Sequence, residues 1–189
     1  MKRNLLFSLL ALLTACNSNP PASSTDSLAK PAADSVMSSM PAIQSPYEIS
    51  YTSKFAIDAP KNAETLLGLW KDWDNGTLAA HKDWWADSVE MHFSDGNMMR
   101  APKDTVLAMG QQIRNSYASS KSRVIAVTAM KSVDQNDHWV LIWGTETNTD
   151  KKGKVDSSYL FETWKFNNDG KVTTLYQYRA SPYPPKKKM

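Results

Sequence analysis

Four stretches decide the fold: SRVIAVTAMKSVD (122–134), HWVLIWGTETNTD (138–150), VDSSYLFETWKF (155–166) and KVTTLYQYRA (171–180). Each is rich in β-branched and aromatic residues and reads as a strand. Turn residues separate them: Asp134-Gln135-Asn136-Asp137, Asp150 to Gly153, and Asn167-Asn168-Asp169-Gly170. Connections this short join neighbouring antiparallel strands, so the span predicts one meandering sheet. Whatever precedes it must cover that sheet or deliver it.

Three helices are predicted ahead of the sheet. The first runs through DAPKNAETLLGLWKDWDNG, with Asp58 as N-cap and a stop at Asn75-Gly76. Ala63, Leu66, Leu67, Trp70 and Trp73 give it an apolar face. Thr77 caps a shorter second helix through LAAHKDWWA, presenting Leu78, Trp84 and Trp85. A strand follows in which Val89, Met91 and Phe93 alternate with Glu90, His92 and Ser94, turned by Ser94 to Asn97. The third helix opens at Pro102, runs to about Tyr117 and buries Val106, Met109, Ile113 and Tyr117. Helices gathered on one face of a curved antiparallel sheet make an α+β cone.

The N-terminus reads as an address. Lys2 and Arg3 precede a nine-residue apolar run, Leu5 to Leu13, which is too short to span a bilayer comfortably. It ends in Leu13-Thr14-Ala15-Cys16, which resembles the bacterial lipoprotein signal motif. The resemblance implies cleavage before Cys16, the only cysteine, and lipid attachment there. The expected partner of this end is therefore a membrane, and the expected location the cell envelope. Asn17, where an Asp would resemble an inner-membrane retention signal, leans towards the outer membrane of a Gram-negative host. A Ser-, Ala- and Pro-rich stretch then runs to Pro46, too poor in apolar residues to form a core. Counted on to the start of the domain, a coil of about 40 residues reaches on the order of 35–40 Å. Tyr47, Ile49 and Tyr51 alternate with polar residues and suggest a short strand at its end. The organisation is thus leader 1–15, tether 16–57, cone domain 58–181 and basic tail 182–189.

The net charge of +3 is a property of the ends. Setting aside Lys2, Arg3 and Lys186 to Lys188 turns it into −2, and no basic stripe of the kind nucleic acid requires remains. No metal-ligand spacing, Gly-rich phosphate loop or nucleophile elbow occurs, so neither a metal nor another cofactor is expected.

The order of elements, with WWADSVEMHFSDG (84–96) after the second helix and FETWKFNNDGKVTTLYQY (161–178) at the end, resembles the nuclear transport factor two-like superfamily, in its SnoaL-like and ketosteroid-isomerase-like branches. The resemblance covers roughly Asp58 to Ser181 and rests most on Trp164-Lys165-Phe166 followed by Asp169-Gly170. It implies a cone with one pocket, often in a homodimer. In isomerase-like relatives a carboxylate base sits five residues after an Asp corresponding to Asp87. Here that position is His92, which the resemblance points inward. An acidic residue two before the aromatic–basic–aromatic triplet helps hold an oxyanion in those relatives, and that position is Glu162. Its carboxyl could donate if protonated, or accept from His92 if ionised. The first-helix tyrosine of the relatives is replaced by Leu69, which argues against their steroid isomerisation.

Three readings follow. The first is binding of a small, mostly apolar or aromatic molecule, with Trp143, Tyr159, Trp164 and Tyr178 as contacts. The second is a cofactor-independent lyase or isomerase led by His92 and Glu162. The third is an envelope interaction module using the outer sheet face. His81 and His138 read as exposed, and Met91, Met98 and Met99 as an adaptable apolar rim.

Overall fold

The computed structural model describes residues 43–180. The leader, Cys16, most of the tether and the basic tail lie outside the described residues.

The meander forms as its sequence predicts. Strands β4 (Tyr117–Ser132), β5 (His138–Asp150), β6 (Val155–Phe166) and β7 (Val172–Ala180) are consecutive antiparallel neighbours. Two additions complete the sheet. Strand β1 (Phe55–Ile57) pairs with β4 at one edge, and β2 (Trp85–His92) lies beside β7 at the other, followed by β3 (Met98–Pro102). The order is β1-β4-β5-β6-β7-β2-β3. The β2–β7 pairing is parallel, so the seven-stranded sheet is mixed and not purely antiparallel. A parallel pair cannot be joined by a hairpin, and the whole span from Phe93 to Lys171 lies between β2 and β7.

Among the described residues two helices, not three, lie on the concave face: α1 (Lys61–Asn75) and α2 (Lys103–Asn115). The predicted middle helix is a run of turns ending in a single 3-10 turn, Lys82–Trp84, and Trp85 is already strand. Gly76 closes α1 in the left-handed conformation (φ 71°), as its position suggests. Asp58 does not cap α1. It accepts from the Ala59 amide and pairs with His138 Nδ1 at 2.6 Å, so His138 is largely covered rather than solvent-facing.

Period-two alternation assigns the two sheet faces. On β6, Ser158, Leu160, Glu162, Trp164 and Phe166 are buried, while Tyr159 and Phe161 point outward. Leu66, Leu69 and Trp70 of α1 and Val106 and Leu107 of α2 meet Val140, Ile142, Leu160, Trp164 and Leu175 in the core. Met109 and Ile113, expected inside, are about half-exposed on α2.

Curvature is built in at Gly144. A register shift in β4 between Val124 and Ala126 lies opposite it, and a Cβ at Gly144 would stand 2.7 Å from the Trp70 ring and 2.8 Å from the Arg123 carbonyl. Only glycine lets α1 settle this closely onto the bent sheet. The expected strand at Tyr47–Tyr51 is absent. That segment forms bends, and the strand comes later, at Phe55–Ile57, inside the span read as tether. Tyr51 pins the segment down, its hydroxyl donating to Asp137 and accepting from Trp139 Nε1 at 3.3 Å.

Candidate functional site

Between the concave sheet face and the two helices lies a cavity of about 370 Å³, within the range of small-molecule sites. Its wall is mostly apolar. Leu69, Trp70 and Trp73 come from α1, Val106, Leu107 and Ile113 from α2, Met91 from β2, Met99 from β3, and Leu160 and Trp164 from β6. Met98, the third methionine of the expected rim, is exposed.

Polar groups enter this wall at a few places. Glu162 faces inward beside Ile142 and Gln177 in the strand register. Its Oε2 accepts from Trp70 Nε1 at 2.8 Å and from Trp164 Nε1 at 2.9 Å, and its Oε1 accepts from Gln177 Nε2 at 2.7 Å. Burial pushes this carboxyl above the usual glutamate range. The three donors pull it back, and nearby Glu146 pushes it further up. Glu146 enters from β5 and pairs with Arg179 of β7 at 2.9 Å, while also accepting from Asn148. Asp72 enters from α1, its Oδ2 2.7 Å from His81 Nδ1. His81 in turn stacks on Trp84 with ring centres 3.8 Å apart.

His92 is not in this cavity. Val89 is fully buried and Met91 lines the cavity, so alternation sends His92 to the other face. There it stacks on Tyr176 (4.4 Å between ring centres), and its Nε2 stands 2.6 Å from Glu90 Oε1. The expected base and orienter, His92 and Glu162, are thus on opposite faces of the sheet. The same alternation corrects three of the four aromatic candidates. Trp164 lines the cavity, whereas Trp143, Tyr159 and Tyr178 lie on the outer face. Trp143, Phe161 and Tyr178 form a stacked row across β5, β6 and β7, with ring centres 5.1 and 6.0 Å apart.

Sequence reasoning passed over Asp72, Glu146, Gln177 and Arg179. Their signals were present. Glu146 keeps the phase of Val140 and Ile142, Gln177 that of Leu175, and Asp72 stands three residues after Leu69.

No protein-family model matches the chain, and no curated protein matches it. Solved structures do. AusH from Aspergillus nidulans superposes with a TM-score of 0.53 at 13% identity, over 67% of this chain and 88% of that one. An NTF2-like protein of unknown function from Burkholderia pseudomallei K96243 gives 0.51 at 16%, over 64% and 91%. Another, from Exiguobacterium sp. 255-15, gives 0.50 at 12%, over 62% and 99%. The described residues therefore have the nuclear transport factor two-like fold, an open curved sheet with helices on its concave face.

Proposed function

We propose that this domain binds a small, mostly apolar or aromatic molecule in its cavity, and that lipid on Cys16 holds it at the cell envelope. The observation that carries the binding reading is the cavity itself. About 370 Å³ of mostly apolar wall surrounds a few inward-aimed polar groups, which is the composition of a recognition site rather than a packing defect. Catalysis led by His92 loses its support, because His92 lies outside the cavity. Glu162 alone is poorly placed for proton transfer, since both of its oxygens already accept from protein donors. The test is binding of the fluorescent apolar dye N-phenyl-1-naphthylamine to the full chain and to Met91→Trp, which fills the cavity from β2. Binding that Met91→Trp abolishes supports the reading; no saturable binding, or binding indifferent to the substitution, sinks it. The anchor is tested separately by metabolic labelling with a clickable palmitate analogue, which Cys16→Ser should abolish.

A second reading concerns the outer face, and the stacked row favours it. Trp143 is 38% exposed, and Tyr159 and Tyr178 are each 53% exposed around Phe161. Exposed aromatic side chains gathered on the outer face suit an interface, and a second copy of this chain is the proposed occupant. Light scattering after size exclusion should then report a dimer that Trp143→Glu converts to monomer. A monomeric wild type at all concentrations would end this reading.

A further inference from the structure

The charged residues that line the cavity are Asp72, Glu146, Glu162 and Arg179, three acids to one base. Their hydrogen bonds are uneven. Glu162 accepts on both oxygens, from two indoles and an amide. Glu146, only 6% exposed, takes both of its bonds, from Arg179 and Asn148, on Oε1. Its Oε2 has no partner among the described residues. Asp72, 5% exposed, uses Oδ2 for His81, and its Oδ1 likewise has no partner among the described residues. A carboxyl group offers about four acceptor positions, and neither of these two oxygens is sealed from the cavity or solvent. Both side chains line the cavity, Glu146 from the sheet and Asp72 from α1. The wall therefore offers a ligand hydrogen-bond acceptors carrying negative character. The rings of Trp70, Trp73 and Tyr117 belong to the same wall, and an aromatic face attracts a cation within about 6 Å.

Building on the binding reading above, we infer that the cavity takes an organic cation, an aromatic or alicyclic body carrying a protonated amine, with the amine directed to Glu146 and Asp72. An ammonium group brings only donors, which is what the unused oxygens lack. A carboxylate ligand of the same shape would face three acidic side chains, with Arg179, already engaged with Glu146, as the one cationic donor in the wall and the unpartnered Trp85 Nε1 as a neutral one. A neutral hydrocarbon would fill the apolar wall and leave the acceptors unmet.

The test uses three probes of similar shape, 2-naphthylmethylamine, 2-ethylnaphthalene and 2-naphthoate, each displacing N-phenyl-1-naphthylamine from the full chain. The amine should compete about tenfold or more better than 2-ethylnaphthalene, since hydrogen bonds to charged groups are worth at least that much. 2-Naphthoate should be weakest. Glu146→Gln should bring the amine and the hydrocarbon to within about threefold. If Glu146→Gln fails to fold because Arg179 loses its partner, Asp72→Asn provides the same comparison. Equal competition by amine and hydrocarbon, strongest competition by 2-naphthoate, or an amine preference that survives both substitutions overturns the inference while leaving the cavity a binding site. Failure of the dye itself to bind the wild type overturns the binding reading and this inference with it.

Discussion

Replacing Glu162 by leucine removes the acceptor on which two buried indoles converge. Trp70 Nε1 and Trp164 Nε1 stand 2.8 and 2.9 Å from the same oxygen, and both rings are 6–7% exposed. Neither N–H can turn to bulk water once that oxygen is gone, whereas half-buried Gln177 can turn into the cavity. Each orphaned buried donor costs about 1–3 kcal/mol, so the pair costs about 2–6 kcal/mol. Relief from burying an acidic group returns part of this, and a net loss of about 2–4 kcal/mol is expected. Glu162→Gln is the control. It keeps the oxygen between the two indoles, and Gln177 can rotate its amide to accept from the new one, so the loss should stay near or below about 1 kcal/mol. Urea unfolding followed by tryptophan fluorescence and circular dichroism, with an unchanged m-value, measures both variants. A leucine variant as stable as the glutamine variant would refute the convergent acceptor as a source of stability.

The same pair fixes a pH dependence. Burial holds the native carboxyl above its unfolded value, so between the two values the folded chain keeps the additional proton. Stability from this group is full below the unfolded value and is lost as pH rises through the native one. The wild-type advantage over Glu162→Gln should therefore shrink as pH rises across that window. An advantage that grows with pH would contradict the sign.

Other substitutions read other parts of the fold. Gly144→Ala drives a methyl group to within 2.7 Å of Trp70 and 2.8 Å of the Arg123 carbonyl. A loss of about 1–3 kcal/mol is expected in chemical denaturation, and wild-type stability would mean that α1 does not rest on this point. Arg114→Leu removes the donors that hold the Trp73 and Asp74 carbonyls of the last turn of α1 at 2.7 and 2.8 Å; thermal melts should report a loss of about 1–3 kcal/mol. His92→Gln should leave dye affinity in the cavity within about twofold of wild type, as expected of a distant surface change. A collapse of affinity in titration would place His92 back in the site.

The sequence by itself determined the meander, because β-branched alternation and short polar turns between 122 and 180 leave antiparallel hairpins as the compact solution. It also determined that Glu162 and Trp164 share a face, since a strand has a period of two. It fixed the stop of α1 at Gly76, where a residue without Cβ takes the left-handed turn. Tertiary structure decided what no local pattern encodes. The stretch around Lys82–Trp84 carries helical spacing, yet Trp84 packs its ring against Gly68 and Trp85 enters the sheet, so one 3-10 turn replaces a helix. His92 and Glu162 each lie on a definite face of their own strand, but which faces agree depends on how β2 is placed against β7. That pairing is parallel and spans some eighty residues of intervening chain. The burial of Val89 settles it, and burial is a property of the packed core. The acidic lining follows the same logic: Glu146 and Glu162 stand on neighbouring strands of the meander, and only the closure of α1 over the bent sheet brings Asp72 to the same cavity.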